Sequence, residues 1–266
     1  MLLPRVLTAL ALALLLVVAV LYSPPPVTAG ILGLILLIGT WEWSAFLAVE
    51  RQWRVLYVLL LVSGGLAGLY WTLETRNFLW TLGIAVVWWT LALIWIAGAP
   101  QRGGRYTAAL AGVLTLLPSW IALVHIDALW RQGAQWTLFI LGLSFAADTG
   151  AYFMGRQFGR VPLAPLVSPR KTWEGVIGGM LLALAVGAFG AVWFDMQPLR
   201  FVPLCIAAAA FSVVGDLTES LLKRHVHLKD SGRLFPGHGG VLDRIDSVSA
   251  ATPVMALGLI WLGVGA

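Results

Sequence analysis

The sequence predicts an all-α, polytopic integral membrane protein with about nine transmembrane helices. Three observations predict it. Hydrophobic residues make up 60% of the 266 and charged residues only 11%, where a soluble domain carries about 25% charged residues. Mean hydropathy is +0.89. The apolar residues fall into successive runs of about 20, the length that a helix needs to cross a bilayer. Fourteen Trp agree with this, since indole rings favour the membrane–water boundary.

Taken in order, the spans lie near 4–22, 27–47, 54–71, 78–98, 106–126, 134–155, 174–194, 201–222 and 242–265. The first follows Arg5 and could also be read as a signal peptide. No clear small-x-small cleavage site follows it, and Pro24-Pro25-Pro26 leads directly into the second run, so it is counted as a span. Short polar links carrying Arg51 and Arg54, Arg76, Arg102 and Arg105, and Arg131 separate the second to the sixth. Two longer polar connections, 156–173 and 223–241, precede the seventh and ninth. Gly64-Gly65, Gly178-Gly179 and Ala207 to Ala210 supply small residues where helix backbones can approach closely. Residues 1–130 read as a scaffold and 131–266 as the half that carries the chemistry, within one structural unit.

With the N-terminus in the cytosol, the cytoplasmic side holds 14 of the 17 Lys and Arg, counting Arg244 at the start of the last span. Only Arg76, Arg131 and Arg200 lie opposite, which is the positive-inside pattern. The expected location is therefore a bacterial-type inner membrane, with the polar loops facing the cytoplasm. A net charge of +5 suits anionic headgroups or phosphate-bearing substrates better than nucleic acid. A single cysteine, Cys205, excludes an intrachain disulfide.

An ionisable group inside a span costs about 3 kcal/mol on insertion scales, so each one needs a reason. Glu42, Asp148, Asp216 and Glu219 fall within spans, and Asp243 and Asp246 where the ninth begins. All six lie toward the cytoplasmic side of the predicted topology. Asp216 and Glu219 are three apart, as are Asp243 and Asp246, so each pair projects from one helical face. Hard oxygen donors at this density suit Mg²⁺ or a similar ion. The plainer alternative pairs them with Lys223, Arg224 and Arg244 as pins between helices. His225, His227 and His238 suggest zinc less well, since no Cys joins them and the acids around them favour a harder ion.

The first polar connection reads GRQFGRVPLAPLVSPRKTWEG. Pro165 and Pro169 interrupt helix, Thr172 is placed to cap the seventh span, and Glu174 falls in its first turn. Arg170 and Lys171 stand just before that helix start, where an anion is favoured. The second connection gathers eight charged residues into the 24 of 223–246. It contains Gly239 and Gly240, whose backbone can come close to a ligand.

Taken from Ser220, the stretch SLLKRHVHLKDSGRLFPGHGGVLDRID resembles the signature of phosphatidate cytidylyltransferases, also called CDP-diacylglycerol synthases. The fixed positions Ser220, Lys223, Arg224, Lys229, Asp230, Gly232, Pro236, His238, Gly239, Gly240, Asp243, Arg244 and Asp246 are all filled. ADTGAYFMGRQFG at 147–159 and SPRKTWEG at 168–175 are similar to the family as well. The resemblance is specific for the C-terminal half. It implies that CTP and phosphatidic acid give CDP-diacylglycerol and pyrophosphate with Mg²⁺. It also implies a second, monovalent cation such as K⁺, and a homodimer.

On that basis Asp216 and Asp243 are the leading expected Mg²⁺ ligands, with Asp246, Glu219 and Asp148 nearby. Lys171, Lys223, Arg224, Lys229, His238 and Arg244 are expected to serve catalysis as phosphate clamps. Ser168, Arg170, Lys171, Gly239 and Gly240 are expected to bind substrate, and Glu42 reads as a structural partner. Two rivals remain at this level. A CTP-dependent lipid kinase would release CDP, and a cation-coupled transporter would need charged paths to both membrane faces.

Overall fold

The computed structural model describes residues 14–232 and 239–265. A first helix, α1, is described over 14–22, and α2 (Pro25–Trp43) follows the proline run with Pro25 at its first position. A short 3₁₀ turn (Ser44–Leu47) leads to α3 (Arg51–Trp71), α4 (Thr75–Gly98), α5 (Arg105–Leu129) and α6 (Gly133–Phe158). A two-stranded antiparallel hairpin, β1 (Pro162–Ala164) and β2 (Ser168–Thr172), precedes α7 (Trp173–Trp193), α8 (Pro198–His225) and α9 (Leu242–Trp261).

Seven of the described helices are long and apolar enough to cross a bilayer. The expected count of nine differs at the two ends. The N-terminal part of the first expected span lies outside the described residues, and α9 opens on Asp243, Arg244 and Asp246. Helix bounds otherwise follow the apolar runs and overshoot them where polar ends favour helix. The α8 helix continues through Lys223, Arg224 and His225, and the positive charge of Lys223 and Arg224 complements the carbonyl end of the helix dipole.

The α9 helix lies at the centre. Residues 247–256 are all buried, and the helix packs against α2, α4, α5, α6 and α8. A helix apolar on every side belongs in a core. By contrast, α3 exposes Val55, Leu56, Leu59, Leu60 and Leu66, as a lipid-facing helix should. One apolar core runs from Leu32 to Leu259 and crosses residue 130 without interruption.

Two features position the site. The first is the α6–α7 seam, where glycines let the two helices approach closely. A Cβ added to Gly179 would lie 2.8 Å from the Ala147 carbonyl oxygen, and one added to Gly178 would overlap the Met154 side chain. Backbone-to-backbone approach of this kind replaces the apolar drive that lipid cannot supply. The second is the hairpin, where Pro165 and Pro169 predict only a break in helix. Val167 at its turn is buried among Trp89, Ile96, Val214, Leu217 and Leu221 of α4 and α8. The Glu174 carboxylate accepts the N–H groups of Arg160 (3.1 Å) and Val161 (3.2 Å), closing its base. Thr172 accepts the Gly175 N–H at 3.2 Å and caps α7, as its position in the sequence predicts.

Gly178→Ala should lower stability by about 1–3 kcal/mol through overpacking of this seam. Gly83→Ala, at a site with nothing within 4 Å of the added Cβ, should leave it within about 0.5 kcal/mol. Thermal midpoints of the two variants in the same detergent check the difference.

Candidate active site

The C-terminal half of α8, the first turns of α9, the middle of α6 and strand β2 converge on one group of charged side chains. It has a buried part and a more open part. In the buried part, the Lys223 ammonium lies 3.0 Å from Glu219 Oε1 and 2.6 Å from Asp243 Oδ1. The side chains of Lys223, Glu219 and Asp243 are 11%, 2% and 10% exposed, so each charge depends on the others for compensation. Asp243 Oδ2 accepts three further hydrogen bonds, from Ser231 N–H (3.0 Å), Ser231 Oγ (2.9 Å) and Gly240 N–H (2.8 Å). Both oxygens of Asp243 are therefore engaged by protein donors.

In the open part, Lys171 of β2 pairs with Asp216 of α8, their side chains 23% and 32% exposed. Asp148 of α6 lies within electrostatic reach of Asp216, Lys171 and Arg244, and its Oδ2 accepts the Ser247 hydroxyl at 2.8 Å. Asp246 joins the two parts: it faces the charges of Asp216, Glu219 and Asp148, with Lys171 nearby. Its Oδ1 accepts the Ser247 N–H at 2.8 Å. Thus Asp148, Asp216, Glu219, Asp243 and Asp246, from three helices, share one environment with Lys171, Lys223 and Arg244.

The other expected residues surround this group. Arg224 is exposed, and its Nε donates to the Val167 carbonyl at 3.4 Å, joining α8 to the hairpin. Arg170, Lys229 and Arg244 are exposed, and Ser168 is half-buried at the start of β2. Gly239 has φ +82°, a conformation that favours glycine, and a Cβ there would lie 2.5 Å from Asp243 Oδ2. Among the described residues, the close approach that Gly239 and Gly240 permit is to the carboxylates of Asp243 and Glu42. His238 and Pro236 lie outside the described residues. His225 is tied instead to the Pro100 carbonyl through Nε2 at 2.8 Å, away from the acids.

Sequence reasoning passed over Ser231 and Ser247, which donate to Asp243 and Asp148. Each directly neighbours a singled-out acid, Asp230 or Asp246, and that adjacency was the available signal.

The donor set bears on an implied Mg²⁺. Both oxygens of Glu219 are buried without a hydrogen-bond partner beyond the Lys223 ion pair. Five carboxylates face three basic side chains here, a surplus of negative charge made only of hard oxygen donors. Such a set fits a divalent hard cation. Among the described residues no three of these acids are drawn together at coordinating distance, and lysine ammonium groups stand between them.

Comparison with known proteins identifies the family. The cytidylyltransferase family model matches residues 3–261. A protein of Pseudomonas aeruginosa named phosphatidate cytidylyltransferase is 39% identical over 238 residues, covering 86% of each chain. One of Haemophilus influenzae with the same name is 37% identical, covering 95% of this chain and 96% of its own. With its acids and bases gathered where α6, α8, α9 and the hairpin meet, and with a match along nearly its whole length, the chain belongs to the cytidylyltransferase family.

Proposed function

We propose that this protein transfers the cytidylyl group of CTP to phosphatidic acid, forming CDP-diacylglycerol and pyrophosphate. The observation that carries the reading is the shared acid–base cluster of α6, α8, α9 and β2, in a chain similar along its length to phosphatidate cytidylyltransferases. A lipid phosphate oxygen attacks the α-phosphorus of CTP, a new P–O bond forms, and the bond to the leaving pyrophosphate breaks. The nucleophile needs little help from a base, because the second pKa of a phosphate monoester is about 6. The obstacle is repulsion between two anions, so catalysis rests on alignment and cationic side chains.

The residues divide by environment. Asp216 and Asp148, in the open part of the cluster, and Asp246, which joins it to the buried part, would hold Mg²⁺, with Glu219 adjacent. Bound there, the ion would neutralise phosphate charge and favour departure of pyrophosphate. The same oxygen-rich surroundings also suit a monovalent ion such as K⁺. Asp243, engaged by Lys223, Ser231 and Gly240, would act from behind by holding Lys223 and the start of α9. Lys171, Arg170, Arg224, Lys229 and Arg244 are exposed or half-buried around the cluster and would bind the triphosphate and lipid phosphate. The excess of basic residues on one side supports an inner-membrane orientation with this site toward the cytoplasm. The family resemblance supports a homodimer.

Purified protein given CTP labelled in the cytidine, phosphatidic acid and Mg²⁺ should place the label in the lipid and release pyrophosphate. Label confined to CDP, with the γ-phosphate on the lipid, would replace this reading with a kinase. Asp246→Asn should lower kcat by about 100-fold or more at a nearly unchanged thermal midpoint; wild-type kcat would remove Asp246 from the machinery. The two lysines should separate. Lys171→Ala should weaken kcat/KM for CTP by about tenfold with little loss of stability. Lys223→Met leaves two buried carboxylates without their cation and should cost about 3–5 kcal/mol in folding, read in denaturation of the same preparations.

A further inference from the structure

The α9 helix begins without a cap of its own. Its N-cap residue is Val241, whose side chain has no acceptor, so the first N–H groups need a partner from elsewhere. That partner is Glu42, in the last turn of α2 and 200 residues away in sequence. Glu42 Oε1 accepts the Val241 N–H at 3.1 Å and Oε2 accepts the Leu242 N–H at 2.8 Å. The Ser231 hydroxyl lies 3.2 Å from the same Oε2. Glu42 is only 7% exposed, so this carboxylate is held away from water by the backbone it caps.

The fit is tight on both sides. Gly232 and Gly240 stand so close to the Glu42 carboxylate that a Cβ on either would overlap it. Gly240 also gives its N–H to Asp243, and Ser231 reaches both Glu42 and Asp243. Two carboxylates from opposite ends of the chain therefore hold the same short stretch of backbone. Asp243 follows immediately after the capped Leu242, and Asp246 lies three residues further on. The depth and rotation of the first turn of α9 decide where both acids project.

We infer that Glu42 is a positioning residue for the reaction: as a cap lent by α2, it sets the start of α9 so that Asp243 meets Lys223 and Asp246 meets Asp216. The inference rests on the cytidylyl-transfer reading. A carboxylate suits the task because its two anionic oxygens serve two N–H groups at once, beside the positive end of a helix dipole. Gln presents one oxygen and turns an NH₂ group toward a donor. Asp keeps the charge but falls short by about one C–C bond, ~1.5 Å.

Glu42→Gln and Glu42→Asp are purified with the wild type, and kcat is normalised to folded, monodisperse protein. A merely stabilising contact would lower yield and thermal midpoint while leaving kcat per folded molecule unchanged. Positioning predicts that Glu42→Gln loses at least about fivefold in kcat with KM for CTP little changed, and that Glu42→Asp loses less. A smaller loss in Glu42→Gln overturns the inference. Where Glu42→Gln does not fold, Glu42→Asp carries the test at about threefold, with the same consequence below it. If neither variant folds, Glu42 is a folding determinant and the positioning role is lost. Absence of cytidylyl transfer in the wild type would count against the function, and loss confined to the variants bears on Glu42 alone.

Discussion

Carboxylates in a low-dielectric pocket cannot stay close together unless cations stand between them, and this constraint organises the protein. Lys223 bridges Glu219 to Asp243, and Lys171 meets Asp216. Each pairing ties separate elements together: consecutive helices α8 and α9 in the first case, the hairpin and α8 in the second. In the buried Lys223 group, removing one partner is far more costly than the pair is favourable. The remaining excess of negative charge suits the divalent cation proposed for this site.

The scaffold serves this requirement with small residues and caps. Helices α6 and α7 meet backbone to backbone through Gly150, Gly178 and Gly179, which sets where Asp148 lies relative to the hairpin. Val167 fixes the hairpin against α4 and α8, so that Lys171 reaches Asp216. The central helix α9 is apolar and buried after its first turns but charged at its start, and that start is held by Glu42 and Asp243. A lipid substrate keeps its acyl chains in the bilayer while a nucleotide arrives from water. A reacting group for both has to sit where buried helices end and polar loops begin, as this cluster does.

Much of the architecture was legible in the chain. Apolar runs of bilayer length mark the helices because lipid offers no partner to an open backbone. Thr172 could be assigned as a cap from its place before an apolar run, and the three-residue spacings predicted that Asp216 would share a helical face with Glu219, and Asp243 with Asp246. The hairpin at 162–172 was not legible. Pro165 and Pro169 exclude helix there but do not say what replaces it, and the strands are held by the burial of Val167 against helices far away in sequence.

What the sequence determined by itself was the class of molecule, the family signature and the set of ionisable residues with a reason to meet. Composition and periodicity are local quantities, and they suffice for that. Which acid pairs with which base was decided only by tertiary structure. Asp243 and Asp216 look equivalent along the chain, yet one is enclosed by Lys223, Ser231 and Gly240 while the other opens toward solvent beside Lys171. The part played by Glu42 was decided there too. Charge compensation and backbone capping act over a few ångströms in space, and no spacing rule spans the 200 residues between Glu42 and Leu242.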